Sequence, residues 1–427
     1  MKPTSNSKKR RGPVASVGSP AASANQFAQA ASANPHLWKI IGLGLVLIVL
    51  LAAGLLAQRW SVEASILELR RSSDQALREA DWPAVERLGR EWAVMEPHAV
   101  RPWTLAASAA RAMGNLEQCA AYLSQLPDTA PIEAFHELSL LQMETLIEPL
   151  AARQTCLRTL RLHPDDNESS RRLLFIHAML CHRQAVTAEA RRAIQAGADS
   201  RTTYAYLFTA NWLTFANGAE LNRYWLEQDP DNEDFQVAAL SHAILHRDIN
   251  SASAASNSTA SHAGVAPRDN QAQLHALLNR YPANLELQMI ALENFLQAGQ
   301  VVELGGLLNK QPAEAQEESR YWRFRGWYLA AEEQWPQATA AYQRSLEISP
   351  LNFNSQNELA GVWRRTQGIA AASELQTTAK LGIDCSLAVL QAPNFEALSH
   401  SDYARMAEYF ELCGETEAAD GLRKHLR

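Results

Sequence analysis

Arg320–Pro350 reads RYWRFRGWYLAAEEQWPQATAAYQRSLEISP. Ala, Arg and Gln, all good helix formers, recur through it, and its two prolines stand where helices begin or end. Pro336 follows Trp335 and suits the first position of a helix, where the missing donor costs nothing. Pro350, 14 residues further on, cannot continue a helix and restrains Ser349 before it. The stretch therefore predicts a helix, a turn and a second helix closed by proline. Trp82-Pro83 stands 14 residues ahead of Pro97 in the same way.

Closing prolines recur along the chain with similar neighbours, at Pro97, Pro131, Pro164, Pro230, Pro282 and Pro350. Pro97 to Pro131 is 34 residues and Pro131 to Pro164 is 33, while Pro164 to Pro230 is 66 and Pro282 to Pro350 is 68, about two periods each. Pro230 to Pro282 is 52, of which 17 belong to the low-complexity run SASAASNSTASHAGVAP from Ser251 to Pro267, so the period there is 35 with a loop insertion over 250–268. Gly114, Gly218, Gly299, Gly368 and Gly414 each follow a helical stretch, where a left-handed cap would join one helix to the next. Continuing the count places further closings near 198, 316 and 384.

Thirty-four residues is the period of the tetratricopeptide repeat (TPR), a helix-turn-helix unit, and the chain from about Ser65 to Arg427 resembles that family. Trp322, Gly326, Ala338, Tyr342 and Pro350 fall on the family's pattern, while Arg325 and Leu329 occupy positions usually held by Leu and Tyr. Trp103, Ala107 and Leu123 take equivalent places one unit after Pro97, with Cys119 as the small crossing residue. The resemblance implies an all-α, TPR-like helical-hairpin solenoid, or superhelix, of about nine to ten helical pairs over 61–427. Gly326 and Ala338 would let two helix backbones approach, with Trp322 and Tyr342 filling the adjacent space.

Ahead of the repeats, Ile40–Ala57 reads IIGLGLVLIVLLAAGLLA, eighteen residues without a charge between Trp38-Lys39 and Gln58-Arg59-Trp60. At 1.5 Å per residue these span about 27 Å, enough for the hydrocarbon core, with tryptophans at the headgroup level. A single transmembrane helix is expected over 37–60, bringing the lipid bilayer in as a partner. Residues 1–36, with Lys8–Arg11 as KKRR and few apolar side chains, are expected to form a disordered basic tail. That basic run favours a cytoplasmic amino terminus and a repeat domain on the far side of the membrane, periplasmic or extracytoplasmic in a bacterium.

Six of the 39 basic residues lie at or before Lys39, and all 46 acidic residues lie at or after Glu63, leaving 33 basic against 46 acidic beyond the apolar stretch. So acidic a soluble part lacks the clustered basic surface that a phosphate backbone requires, and nucleic acid is excluded as a main partner. The five cysteines are odd in number and contain no C-x-x-C, which excludes a disulfide framework and zinc pairs. No phosphate-binding Gly loop, G-x-S-x-G elbow or H-E-x-x-H pair is present, so no catalytic residue, metal or cofactor is assigned.

A stacked array presents a surface, and its expected partners are other proteins or peptides. By the resemblance, Arg320, Arg323 and Trp327 face the inner groove and Asn354, Asn357 and Arg364 continue it, a peptide-binding groove suited to an acidic or free-carboxylate segment. The reading is a membrane-tethered interaction scaffold or assembly adaptor that catalyses nothing itself. Two other readings stand beside it. One is an enzyme or metal-binding protein with a site among the degenerate middle repeats, at His177, Cys181 and His182 or at His242 and His246. The other is self-association through Tyr204, Tyr206, Phe208, Trp212 and Phe215.

Overall fold

The computed structural model describes residues 35–212, 214–215, 217–254 and 267–427; residues 1–34 of the expected tail and 255–266 of the expected insertion lie outside them. The described residues contain helices and no strand. They divide into two compact units, with the boundary between Pro97 and His98.

In the first unit one helix, α1, runs without a break over Pro35–Arg78. No Pro or Gly interrupts it after Gly54, so the apolar stretch continues as helix well past Trp60. Its portion from Gly42 on has a mean hydropathy of 2.0 over eighteen residues, none of them buried, which makes it long and apolar enough to cross a membrane. Past Trp60 the pattern changes to an amphipathic stripe. Ile66, Ser73 and Ala76 are buried at helical spacing against α2 (Trp82–Met95), which turns in Val85, Leu88 and Trp92. Arg70 stacks 5.1 Å over the Trp92 ring and pairs with Glu96 at 3.0 Å, and the Trp92 indole donates to the same carboxylate at 2.5 Å.

The second unit is a run of packed helices: α3 (Val100–Ala112) pairs with α4 (Leu116–Ser124), α5 (Ile132–Leu140) with α6 (Pro149–Leu162) and α7 (Asn167–Met179) with α8 (Arg183–Ala196), then α9 (Arg201–Thr209) packs back on α8, and α10 (Gly218–Leu226) pairs with α11 (Glu233–Ala254), which also meets α12 (Pro267–Arg280). They continue as α13 (Leu285–Gln297) with α14 (Val301–Leu308), α15 (Ser319–Ala331) with α16 (Trp335–Ile348), α17 (Phe353–Thr366) with α18 (Ile369–Gln391), and α19 (His400–Leu412) with α20 (Thr416–Lys424). Each pair is too small to bury its apolar face alone and packs on the next, as in a TPR-like array. The stretch quoted first shows why. A Cβ on Gly326 would lie 2.8 Å from the Tyr342 ring, so only glycine lets α15 and α16 cross there, with Ala338 and Tyr342 almost fully buried beside it. Trp322 sits half-buried at the edge, its indole donating to the Gln316 carbonyl at 2.8 Å.

Three details differ from the sequence reading. No closing falls near 384: α18 runs on to Gln391, and Gly382 is a packing device whose Cβ would meet Phe353 and Tyr409 at 2.7 and 2.8 Å. Gly218 makes no left-handed cap but opens α10 beneath the His242 ring. The left-handed turn is also taken by non-glycines, at Ala80, Ile147, Cys181 and Glu333, with φ of 55° to 59°.

The array closes on itself. Tyr204, Tyr206 and Phe208 of α9 are buried in one cluster with Phe353, Phe395, Tyr409 and Phe410 from the carboxy-terminal part. Tyr206 meets Phe395 edge-on at 4.8 Å and Phe208 meets Tyr409 edge-on at 5.6 Å. Polar contacts ring this seam: Arg191 with Glu415 at 2.6 Å, His425 with Asp199 at 2.6 Å, and the Asn211 amide donating to Ser349 at 2.6 Å. Each buried ring contributes about 1.5–3 kcal/mol, against under about 1 kcal/mol for a part-exposed ion pair. The rings therefore hold the seam and the charges set its register. Of the aromatic set offered above as a self-association face, Tyr204, Tyr206 and Phe208 are buried inside the chain, and Trp212 and Phe215 pack partly buried against them.

Candidate functional site

Arg320 and Arg323 of α15 line a cavity together with residues of α13 and α17. Their charges, however, are already met. Arg320 pairs with Glu286 at 2.7 Å and Glu318 at 2.9 Å, and Arg323 with Glu293 and Glu358 at 2.7 Å each. Arg183, at the start of α8, grips Glu286 from the other side at 2.9 Å. Burial disfavours the charged Glu286, yet Arg183 and Arg320 overcome it and hold its carboxyl down to about 2. Burial also opposes both guanidiniums, but Glu286 and Glu318 raise Arg320 and Glu358 and Glu293 raise Arg323. Glu358 goes the other way, because its burial outweighs Arg323. The acidic or free-carboxylate partner expected from these arginines finds no uncompensated charge here. Asn354 lines the same cavity as Arg320 and Arg323, about 250 Å³ in volume. Trp327 instead packs half-buried beside Phe324, and Asn357 and Arg364 are exposed outside that cavity.

The middle-repeat histidines come together differently from the sequence spacing. His177 Nδ1 is 3.5 Å from His182 Nδ1, His182 Nε2 is 3.3 Å from Asp234, and Cys181 Sγ is 3.4 Å from His242 Nε2. His242 accepts from the Phe215 backbone N–H on its other nitrogen at 3.2 Å; the side chain of His246 lies outside the described residues. Among the described residues no three His, Cys, Asp or Glu side chains converge as a metal would need. Burial, with His182 and Arg153, lowers His177 to about 4, and burial pushes the Cys181 thiol up to about 12. Both are neutral groups of the interior at physiological pH.

What the sequence did not reveal is an open groove of about 860 Å³ between the α5–α6 hairpin, α7, α10 and residues 393–396. Met143, Phe175, Tyr224 and Phe395 are among its apolar walls, with Tyr224 45% exposed. Its rim holds Glu144, Arg171 and Glu396, whereas Arg172 is tied to Glu168 at 2.8 Å. The backbone beside it departs from the regular hairpin. α5 continues as a π-turn over Leu141–Thr145, and Ile147 takes φ 59°. A β-branched residue in that region is strained, and such strain concentrates where a surface is put to use. The sequence signal was negative: no glycine stands where this hairpin turns.

Fold and site together define an all-α, TPR-like helical repeat protein with one apolar helix ahead of it. No family model matches the chain, and no curated protein matches it. Similar solved structures include a tetratricopeptide repeat protein from Parabacteroides merdae ATCC 43184, 15% identical over 70% of this chain and 98% of that one, with a TM-score of 0.26. The APC/C hetero-tetramer Cut9–Hcn1 is 12% identical over 84% of this chain and 86% of that one, with a TM-score of 0.31. The human IFIT1 dimer with PPP-AAAA is 13% identical over 84% and 87%, also with a TM-score of 0.31. The fold assignment rests on the paired helices and crossing residues described above.

Proposed function

We propose that the chain is a membrane-tethered interaction scaffold, without catalysis of its own, that receives a segment of a partner protein in the groove around Phe175 and Tyr224. The groove carries this reading: it is open, apolar at its base and polar at its rim, the anatomy of a protein-binding patch. Aromatic side chains such as Tyr224 are frequent anchors of interfaces. α1 holds the chain at the bilayer and confines whatever it collects to that surface, raising local concentration. The amino terminus lies in the cytoplasm and the repeats on the far side. A photo-crosslinking residue at Tyr224 in the full chain should give a discrete adduct in cells that Phe175→Glu abolishes. The same adducts from a control position on the outer surface, Glu347, would count against the groove.

A further inference from the structure

We propose that the cavity lined mainly by α13, α15 and α17 binds a small uncharged molecule with an apolar body and carbonyl or amide acceptors. Three observations converge on this chemistry. First, the cavity holds about 250 Å³, the room of roughly eight waters at about 30 Å³ each, too little for a helix to thread through. Second, it retains unused donors. Arg320 spends Nε and Nη2 on its glutamates and leaves Nη1 without a hydrogen-bond partner. Arg323 spends Nε and Nη1 and leaves Nη2, and the Asn354 carboxamide, on the same lining, makes no hydrogen bond. These N–H groups are open to water, whereas the Trp212 indole N–H on the same lining is buried without a hydrogen-bond partner, which costs free energy unless something accepts from it.

Third, the charged groups around it offer no positive excess. Three guanidiniums, of Arg183, Arg320 and Arg323, face four carboxyl groups, of Glu286, Glu293, Glu318 and Glu358. An anionic ligand would add a further negative charge to that set, whereas a neutral acceptor would take the spare N–H groups without adding charge. The remaining wall is apolar, with Trp212, Met289, Phe324 and Phe353 lining it. A capped amino-acid amide with an aliphatic or aromatic side chain has this chemistry, whether free or as part of a peptide.

The test is calorimetric titration of the detergent-solubilised full chain with four probes: N-acetyl-leucinamide, N-acetyl-phenylalaninamide, the anionic N-acetyl-phenylalanine, and a capped pentapeptide with a central Phe. At least one neutral amide should saturate, with the anion at least about tenfold weaker. Binding of the pentapeptide as well would make the ligand a peptide segment, and its failure would make it a free small molecule. Ser386→Leu fills the cavity from α18 and should abolish binding. Asn354→Ala removes one donor and should weaken it about fivefold, the worth of one hydrogen bond. Equal affinity for the anion, no saturable binding by either neutral amide, or binding indifferent to both variants would overturn the proposal. None of these readouts depends on the outer groove or on a protein partner.

Discussion

Arg191 and Glu415, 224 residues apart in the chain, face each other in a bidentate pair with N···O distances of 3.1 and 2.6 Å. In an open solenoid their hairpins would stand six repeat steps apart. Here α19 and α20 return to pack on α8 and α9, so a chain built from local hairpins acquires one long-range core.

That core predicts an order of stabilities. Phe410→Ala removes a fully buried ring and should cost about 3–5 kcal/mol, whereas Arg191→Ala, its side chain 43% exposed, should cost under about 1 kcal/mol. Chemical denaturation of the two variants in detergent measures both.

The turns predict a gain and a loss. Glu333 is exposed with φ 57°, so Glu333→Gly should relieve a left-handed strain and stabilise by up to about 1 kcal/mol. Gly326→Ala forces a methyl against the Tyr342 ring and should destabilise by about 1–3 kcal/mol. Paired thermal melts would show opposite shifts.

Acid should destabilise the array in two steps. His177 is held neutral, its pKa lowered to about 4 from the ordinary 6.5. Its contribution is complete above 6.5 and is lost as pH falls to about 4. Glu286 is held ionised, lowered to about 2 from 4.5, so its contribution is complete above 4.5 and is lost as pH falls toward 2. His177→Gln should erase the upper step alone. Glu286→Gln should erase the lower one while costing about 3–5 kcal/mol at neutral pH, since Arg183 and Arg320 lose their shared counter-charge. Stability against pH for the three proteins checks the signs.

The apolar helix predicts its own test. Leu50→Arg sets a charge in the middle of the exposed apolar stretch and should cost about 2.5–3.5 kcal/mol of insertion. The wild-type chain should resist alkaline carbonate extraction, and the variant should be released in part.

The hairpins were legible because their signals are local: Pro336 and Pro350 punctuate one unit, and Gly326 with Tyr342 marks its crossing. The electrostatics of α15 were not legible, since Glu286 lies 34 residues before Arg320, and Glu293 and Glu358 lie 30 before and 35 after Arg323. Opposite charges at one-repeat spacing would have exposed the pairing. Left-handed turns at Cys181 and Ile147 stayed hidden because nothing in an L-residue announces them. The seam was hidden for a different reason: periodicity describes how neighbours stack, and it carries no information on whether a run of pairs curves enough for Phe410 to reach Tyr204.

The closed array is tested most directly by electron–electron spin distance measurement between labels on Arg191→Cys and Glu415→Cys in the full chain. Closure predicts a short, narrow distance peak. An extended superhelix, adding about 10 Å per pair over six pairs, would give a broad distribution near roughly 60 Å, and that result would contradict the account.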